Sequence, residues 1–567
     1  MKKITIVLIC AVCALAVACG FVLAGCEPYE PAAKDIAVVD GPGAAGAEAI
    51  EVEGYAATAD SMAYEEAYAI NDGSYDIYYP DYNTEEYSHE QEQRFLSTKT
   101  SPLSTVSADV DTASYCNLRR MAETGFTPEE VDAGAVRIEE MLNYFDYGYA
   151  SPTGDDRFSM QASIGPCPWN KNTELLVMGF ATAEEERDTS KGSNLVFLID
   201  TSGSMDESDK LPLLQDSFAV LVDELDENDR ISIVTYAGEE RVVLEGAKGD
   251  EKRKIQNAID SLYADGSTNG EAGLKMAYDV AENNFIKGGV NRIIMASDGD
   301  LNVGMTSESE LHDFVDGKRE TGIYLSVLGF GTGNYKDNKM ETLADHGNGQ
   351  YHYIDCRAEA RRVFSENLTA NLVPFADDVK VQVEFNPAQV KGYRLIGYEN
   401  RAMADEDFRN DEADAGEIGP DSQFTVAYEI VPADSSFEIP ETDLRYQDTG
   451  EATGDFDDNE WLTCTLRYQP VGGGKVAEQA LHVDGKSWSE TPGADWQLAA
   501  AVCETGMVLR DSEFKGTATL DSAAKLAKAC AGGDEVREGL GELIELFKTN
   551  TGYEDPYYYG DDVVICY

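Results

Sequence analysis

Continuous apolar runs, not alternating ones, mark the middle of this chain. Asn194-Leu-Val-Phe-Leu-Ile-Asp200 and Asn291-Arg-Ile-Ile-Met-Ala-Ser297 each read as a strand buried on both faces, as in a parallel sheet covered by helices. Arg230–Tyr236, Ile323–Phe330 and Gln350–Ile354 read as further strands, and Arg241–Leu244 is a short hairpin partner. Between these runs the apolar period lengthens to three and four residues. Leu211, Leu214, Phe218, Leu221 and Leu225 are the clearest case. Further helices are expected over 250–262, 271–284, 307–318, 337–343 and 358–372. Alternating strands and helices predict a doubly wound, Rossmann-like α/β domain over residues 193–372.

The flanks follow other patterns. Region 95–192 reads as an α+β extension. A strand-like start at Ser104 runs into a helix capped near Asp111, and an amphipathic helix is expected over Ala135–Phe145. Asp109, Asp111 and Ser114 read as capping and turn residues rather than as a second metal site. Region 373–567 alternates as strands at 379–385, 390–398, 423–430 and 461–468, which suggests a small β-sandwich. Amphipathic helices at 496–509 and 540–547 follow it. Residues 26–94 are rich in Ala, Glu, Asp, Tyr and Gly without an apolar period, and read as a disordered acidic tether. Residues 1–25 form a basic start and a long apolar run, an export signal.

The chemistry collects at strand ends. Asp200-x-Ser202-x-Ser204 follows the first buried strand, Thr268 lies in a Gly-rich loop before a helix, and Asp298 ends another buried strand. Ligands in open α/β sheets sit beyond the carboxyl ends of the strands. Small oxygen donors on alternate residues suit Mg²⁺, which takes near-octahedral oxygen ligands. This set resembles the metal-ion-dependent adhesion site of the von Willebrand factor type A family. The resemblance implies that Ser202, Ser204 and Thr268 ligate Mg²⁺ (or Mn²⁺ or Ca²⁺) directly, while Asp200 and Asp298 act largely through water. It also implies that a partner's Asp or Glu carboxylate completes the octahedron. The segment Pro166-Cys-Pro-Trp169-Asn and the stretches Asn400-Arg401, Asp407–Asp411 and Asp414–Ile418 resemble the flanking regions of YfbK-type bacterial surface proteins.

Leu23-Ala24-Gly25-Cys26 looks like a bacterial lipobox, which implies lipidation of Cys26 and a chain anchored to the cell membrane, facing the outside or the periplasm; an uncleaved transmembrane anchor and lipidation at Cys19, after Ala16-Val17-Ala18, are the weaker readings. The net charge of −62 argues against nucleic acid and anionic membrane surfaces as direct partners. It does not exclude an acidic ligand at a metal, because salt screens such fields beyond about 8 Å. Seven cysteines follow Cys26, widely spaced and without CxxC, so zinc is not expected. Gly329-Phe-Gly331-Thr-Gly333 lacks dinucleotide spacing, and Gly472-Gly-Gly-Lys475 lacks the hydroxyl residue of a P-loop, so no nucleotide is expected. The five histidines form no HExxH, and there is no GxSxG, so the chain reads as a binder and not an enzyme. The leading reading is a surface lipoprotein that binds a protein ligand through Mg²⁺. A scaffold or assembly factor of an envelope complex is the alternative, and a metal-dependent hydrolase is the weakest.

Overall fold

The structure, a computed structural model, describes residues 84–552 except 155, 186–187, 267–268, 300–307, 320, 440–458 and 472–473. All of these lie in the unit Pro80–Tyr567. The export signal, Cys26, the tether up to residue 83, Thr268, Gly472 and Gly473, Cys566 and the tyrosine-rich tail lie outside the described residues.

The chain enters through β1 (Leu96–Ser97), β2 (Leu103–Ser107), α1 (Ala113–Glu123), α2 (Ile138–Asn143), β3 (Phe158–Pro166) and β4 (Glu174–Thr182). The α/β domain follows: β5 (Ser193–Asp200), α3 (Leu211–Glu224), β6 (Arg230–Tyr236), β7 (Arg241–Lys248), α4 (Lys252–Asp260) and α5 (Gly270–Asn283). It continues with β8 (Val290–Ser297), α6 (Glu308–Arg319), β9 (Tyr324–Gly329), α7 (Asp337–His346) and β10 (Tyr351–Tyr353). The closing helix of the sequence reading is interrupted: α8 (Arg357–Arg361) passes through a π-turn at Arg362–Glu366 into α9 (Leu368–Leu372). The remaining strands are β11 (Ala376–Phe385), β12 (Val390–Ile396), β13 (Ala402–Met403), β14 (Gly416–Ile418), β15 (Gln423–Pro432), β16 (Glu460–Pro470) and β17 (Ala477–Asp484). Three helices end the described chain: α10 (Ala494–Leu509), α11 (Leu520–Cys530) and α12 (Glu535–Thr549).

The α/β sheet has the order β10-β9-β8-β5-β6-β7, parallel except for the antiparallel edge strand β7. Every residue of β5 is buried. Leu195, Phe197 and Ile199 pack with Phe218 and Leu368 on one face, while Val196 and Leu198 pack with Leu274 and Tyr278 on the other. The continuous apolar run therefore has one cause: each face of the strand meets a helix layer. Strand order reverses between β5 and β8, so the connections that follow these two paired strands leave toward opposite faces of the sheet and frame a crevice at their carboxyl ends.

The sandwich is larger than the sequence reading, and it joins the two flanks. One antiparallel sheet runs β1-β12-β15-β4-β3 and the other β13-β2-β11-β16-β17, so strands from before and after the α/β domain pair directly. Val381 lies opposite both Val106 and Leu466, and Val426 lies opposite Met178. Phe180, Phe424, Tyr428, Val383 and Cys464 fill the space between the sheets. β4 is buried on both sides: Leu176 and Met178 face this core, while Leu175 and Val177 face the helices. α10 covers that outer face, with Trp496 Nε1 donating to the Leu175 carbonyl at 3.1 Å.

Three local expectations change. In the stretch 135–145 only Ile138–Asn143 is α-helical, and its every residue is buried, Glu139 and Glu140 included, so it has no solvent face. Thr112, not Asp111, precedes α1. Asp111 instead accepts from the Tyr351 amide at 2.8 Å and pairs with Arg401 at 3.3 Å. The end of the acidic stretch also docks on the α/β domain, since the Thr84 amide donates to Gly333 O at 2.7 Å and the Glu86 amide to Tyr335 O at 2.9 Å.

Candidate metal centre

The candidate centre is built where β5 and β8 end. β5 stops at Asp200, Ser202 keeps extended backbone, and a single 3₁₀ turn over Gly203–Asp206 follows. Met205, fully buried, pins that turn into the core beneath it. Asp200 Oδ1 accepts from the Ser202 amide at 2.9 Å, a local turn that fixes the loop on its own strand end. Asp200 Oδ2 accepts from Ser297 Oγ at 3.1 Å, and that hydroxyl accepts from the Gly299 amide at 3.0 Å. One carboxylate thus orients the loops after both strands. Gly299 is at φ +90°, and a Cβ there would lie 2.4 Å from the Lys336 nitrogen, so only glycine fits this turn.

Ser202 Oγ and Ser204 Oγ stand 3.1 Å apart. Neighbouring ligands of an octahedral cation with bonds of about 2.1 Å are separated by about 3 Å. Asp200 and Asp298 are both fully buried. Burial, and then the Asp298 charge, pushes the Asp200 carboxyl up to about 7. Two buried carboxylates beside two hydroxyls form a donor set of hard oxygens that fits a small divalent cation. The structure brings Asp200, Ser202 and Ser204 together and puts Asp298 beside Asp200. Thr268 lies outside the described residues, and the chain just before it is tied to the serine loop. The Gly203 amide donates to Gly266 O at 3.0 Å and the Asp265 amide to Thr201 O at 2.8 Å.

One charged group here had no signal in the sequence. Lys210, 4% exposed, places Nζ 3.0 Å from Asp298 Oδ2. It ends a run of polar residues that reads as loop, and only its meeting with Asp298, 88 positions later, reveals it.

Elsewhere among the described residues, Cys116, Asp355 and Glu359 place one ligand atom each within 4.8 Å of one another. Arg119 fills that space, with Nε 2.6 Å from Asp355 and Nη2 3.3 Å from Glu359. It is an ion-pair cluster. The six described cysteines are free thiols, all buried except Cys356. His352 is buried and held down to about 3 by that burial, while His346 meets Asp316 at 2.9 Å. Among the described residues no helix is long and apolar enough to cross a membrane.

A doubly wound sheet with Asp-x-Ser-x-Ser at its switch point defines a von Willebrand factor type A domain protein. The family model of that domain matches residues 194–366, a second von Willebrand factor model matches 81–177, and the model "Uncharacterized protein YfbK, C-terminal" matches 370–551. The uncharacterized protein YfbK of Escherichia coli K12 is 39% identical over 463 residues, covering 80% of this chain and 79% of its own. The chain belongs to the YfbK family of von Willebrand factor type A domain proteins. It is also related to the inter-alpha-trypsin inhibitor heavy chain H3 of Mesocricetus auratus, 24% identical over 48% of this chain and 32% of that protein. A solved von Willebrand factor type A protein from Catenulispora acidiphila is 16% identical, covers 70% of this chain and 97% of its own, and superposes with a TM-score of 0.40.

Proposed function

We propose that this chain is a binding protein, not an enzyme, and that it captures a protein partner through a divalent cation held at the carboxyl ends of β5 and β8. The observation that carries this reading is the pair of serine hydroxyls 3.1 Å apart beside Asp200 and Asp298. Ser202, Ser204 and Thr268 would hold Mg²⁺, or Mn²⁺ in its place, with Asp200 and Asp298 acting largely through water. When bound, the cation supplies an electrophilic vertex for an Asp or Glu carboxylate of the partner.

The chain's own residues do the rest. Asp200 fixes both loops, Met205 holds the serine turn rigid, and the Asp265–Gly266 backbone ties in the threonine loop. Beside the serines, Thr201, Arg241, Tyr263 and Asp265 line a groove, and Tyr263 is 69% exposed. These side chains would set which partner fits around the carboxylate. A Cys26 lipid anchor would present this face outside the cytoplasmic membrane.

Thermal unfolding of the full chain tests the reading. Mg²⁺ or Mn²⁺ is expected to raise Tm in the wild type, by mass action on the folded state, and to leave Asp200→Ala unmoved. Equal shifts in both proteins, or none in the wild type, would remove it.

A further inference from the structure

Lys210 is buried at the N-terminal end of α3, an unusual place for a lysine. Such a side chain is seldom fully buried unless it is paired. Its partner is Asp298, with Nζ 3.0 Å from Oδ2 and the two side chains 5% and 1% exposed. The stem reaches Asp298 by crossing Gly331. A Cβ at Gly331 would lie 2.3 Å from Lys210 Cγ, 2.7 Å from Cδ and 2.4 Å from Cε. Gly331 is also at φ +77°, where side chains other than glycine are strained. The Gly329-Phe-Gly331 turn thus has a use as the channel for this lysine.

The charge balance gives Lys210 a consequence. With a divalent cation bound, both Asp200 and Asp298 would be ionised and their two negative charges cancelled by it. Lys210 adds one positive charge to that occupied set, so the centre keeps a net positive charge beneath its open face. A cation in such a site is repelled by the ammonium, while an incoming carboxylate is attracted by it. Both effects act through buried, weakly screened space.

We propose that Lys210 is the charge-setting residue of this centre: by pairing with Asp298 it loosens the hold on the divalent cation and strengthens the hold on a partner's carboxylate. This rests on the metal reading given above. It makes the partner's acid the group that locks the cation in place, so cation and partner bind with positive coupling.

The test uses the full chain, with Mn²⁺ alone as the cation probe and acetate as the carboxylate probe, by titration calorimetry at constant ionic strength. In the wild type, acetate is expected to tighten Mn²⁺ binding relative to chloride. Lys210→Met and Lys210→Gln are expected to bind Mn²⁺ about tenfold tighter or more and to lose most of the acetate effect. Circular dichroism checks that each variant is folded, and the acetate effect in the wild type needs neither of them. Variants that bind Mn²⁺ equally or more weakly, or a wild type indifferent to acetate, would overturn the proposal and leave the metal reading standing. Absence of Mn²⁺ binding in every protein would remove both.

Discussion

Arg394 and Glu429 carry opposite charges with side chains 0% and 1% exposed, on the paired strands β12 and β15. Glu429 also accepts from Trp169 Nε1 at 3.1 Å, Asn170 Nδ2 at 2.8 Å and Thr173 Oγ1 at 2.7 Å, and the Arg394 guanidinium lies 4.7 Å from the Phe514 ring centroid. A buried pair of this kind is most informative when broken, because the remaining charge has nowhere to go. Glu429→Ala should therefore cost about 3–5 kcal/mol in urea unfolding. A loss below about 1 kcal/mol, the range of surface pairs, would show that Arg394 finds water or another acid. Neither residue could be singled out from the sequence, where each sits on an ordinary strand. Asp200, Ser202 and Ser204 were legible because they are close in the chain and follow a run that can only be a buried strand. Lys210 was not, since its meaning depends on Asp298 and Gly331, both distant in sequence.

At the scale of elements, the parallel sheet was legible and half of the sandwich was not. β5 and β8 announce themselves by continuous apolar runs, and their pairing follows from alternation with helices. β3 mixes polar and apolar positions, and β4 pairs with β15 some 250 positions away, so nothing local assigns either to a sheet. α11 was missed because its buried face rests on Ala523 and Ala527, which leave no apolar stripe. Between α2, α7 and the turn at Tyr398–Arg401, the structure buries a network of acids around two arginines. Arg137 pairs with Glu140 and Asp337, and lies 3.6 Å from Glu341. Arg401 pairs with Asp111 at 3.3 Å and Asp345 at 2.7 Å.

Burial, reinforced by Glu399, raises Glu139 from 4.5 to about 7. Burial raises Glu140 to about 8 and Glu341 to about 7 against the pull of Arg137. The folded chain therefore holds protons here that an unfolded chain has released. Their stabilising contribution is complete below about 4.5 and is lost as pH rises through 7 to 8. Between pH 5 and pH 8 the wild type should lose stability relative to Glu139→Gln, by about 2 kcal/mol in urea unfolding. Parallel pH profiles for the two proteins would mean that Glu139 is already ionised in the folded chain.

The molecule as a whole interrupts a sandwich with an α/β domain. Strands β1–β4 precede the insertion and β11–β17 follow it, yet they share two sheets and one core. This joins the two ends of the insertion to a common base, and the loops of the candidate centre lie at the strand ends of the domain so held. Two hydroxyls, two buried carboxylates and one lysine make up the proposed centre. The most direct measurement is a crystal of the full chain soaked in Mn²⁺ and recorded at a wavelength where manganese scatters anomalously. We expect a peak within about 2.3 Å of both Ser202 Oγ and Ser204 Oγ, with Thr268 on the same ion. A well-occupied peak elsewhere, or none at these serines under saturating Mn²⁺, would contradict the account.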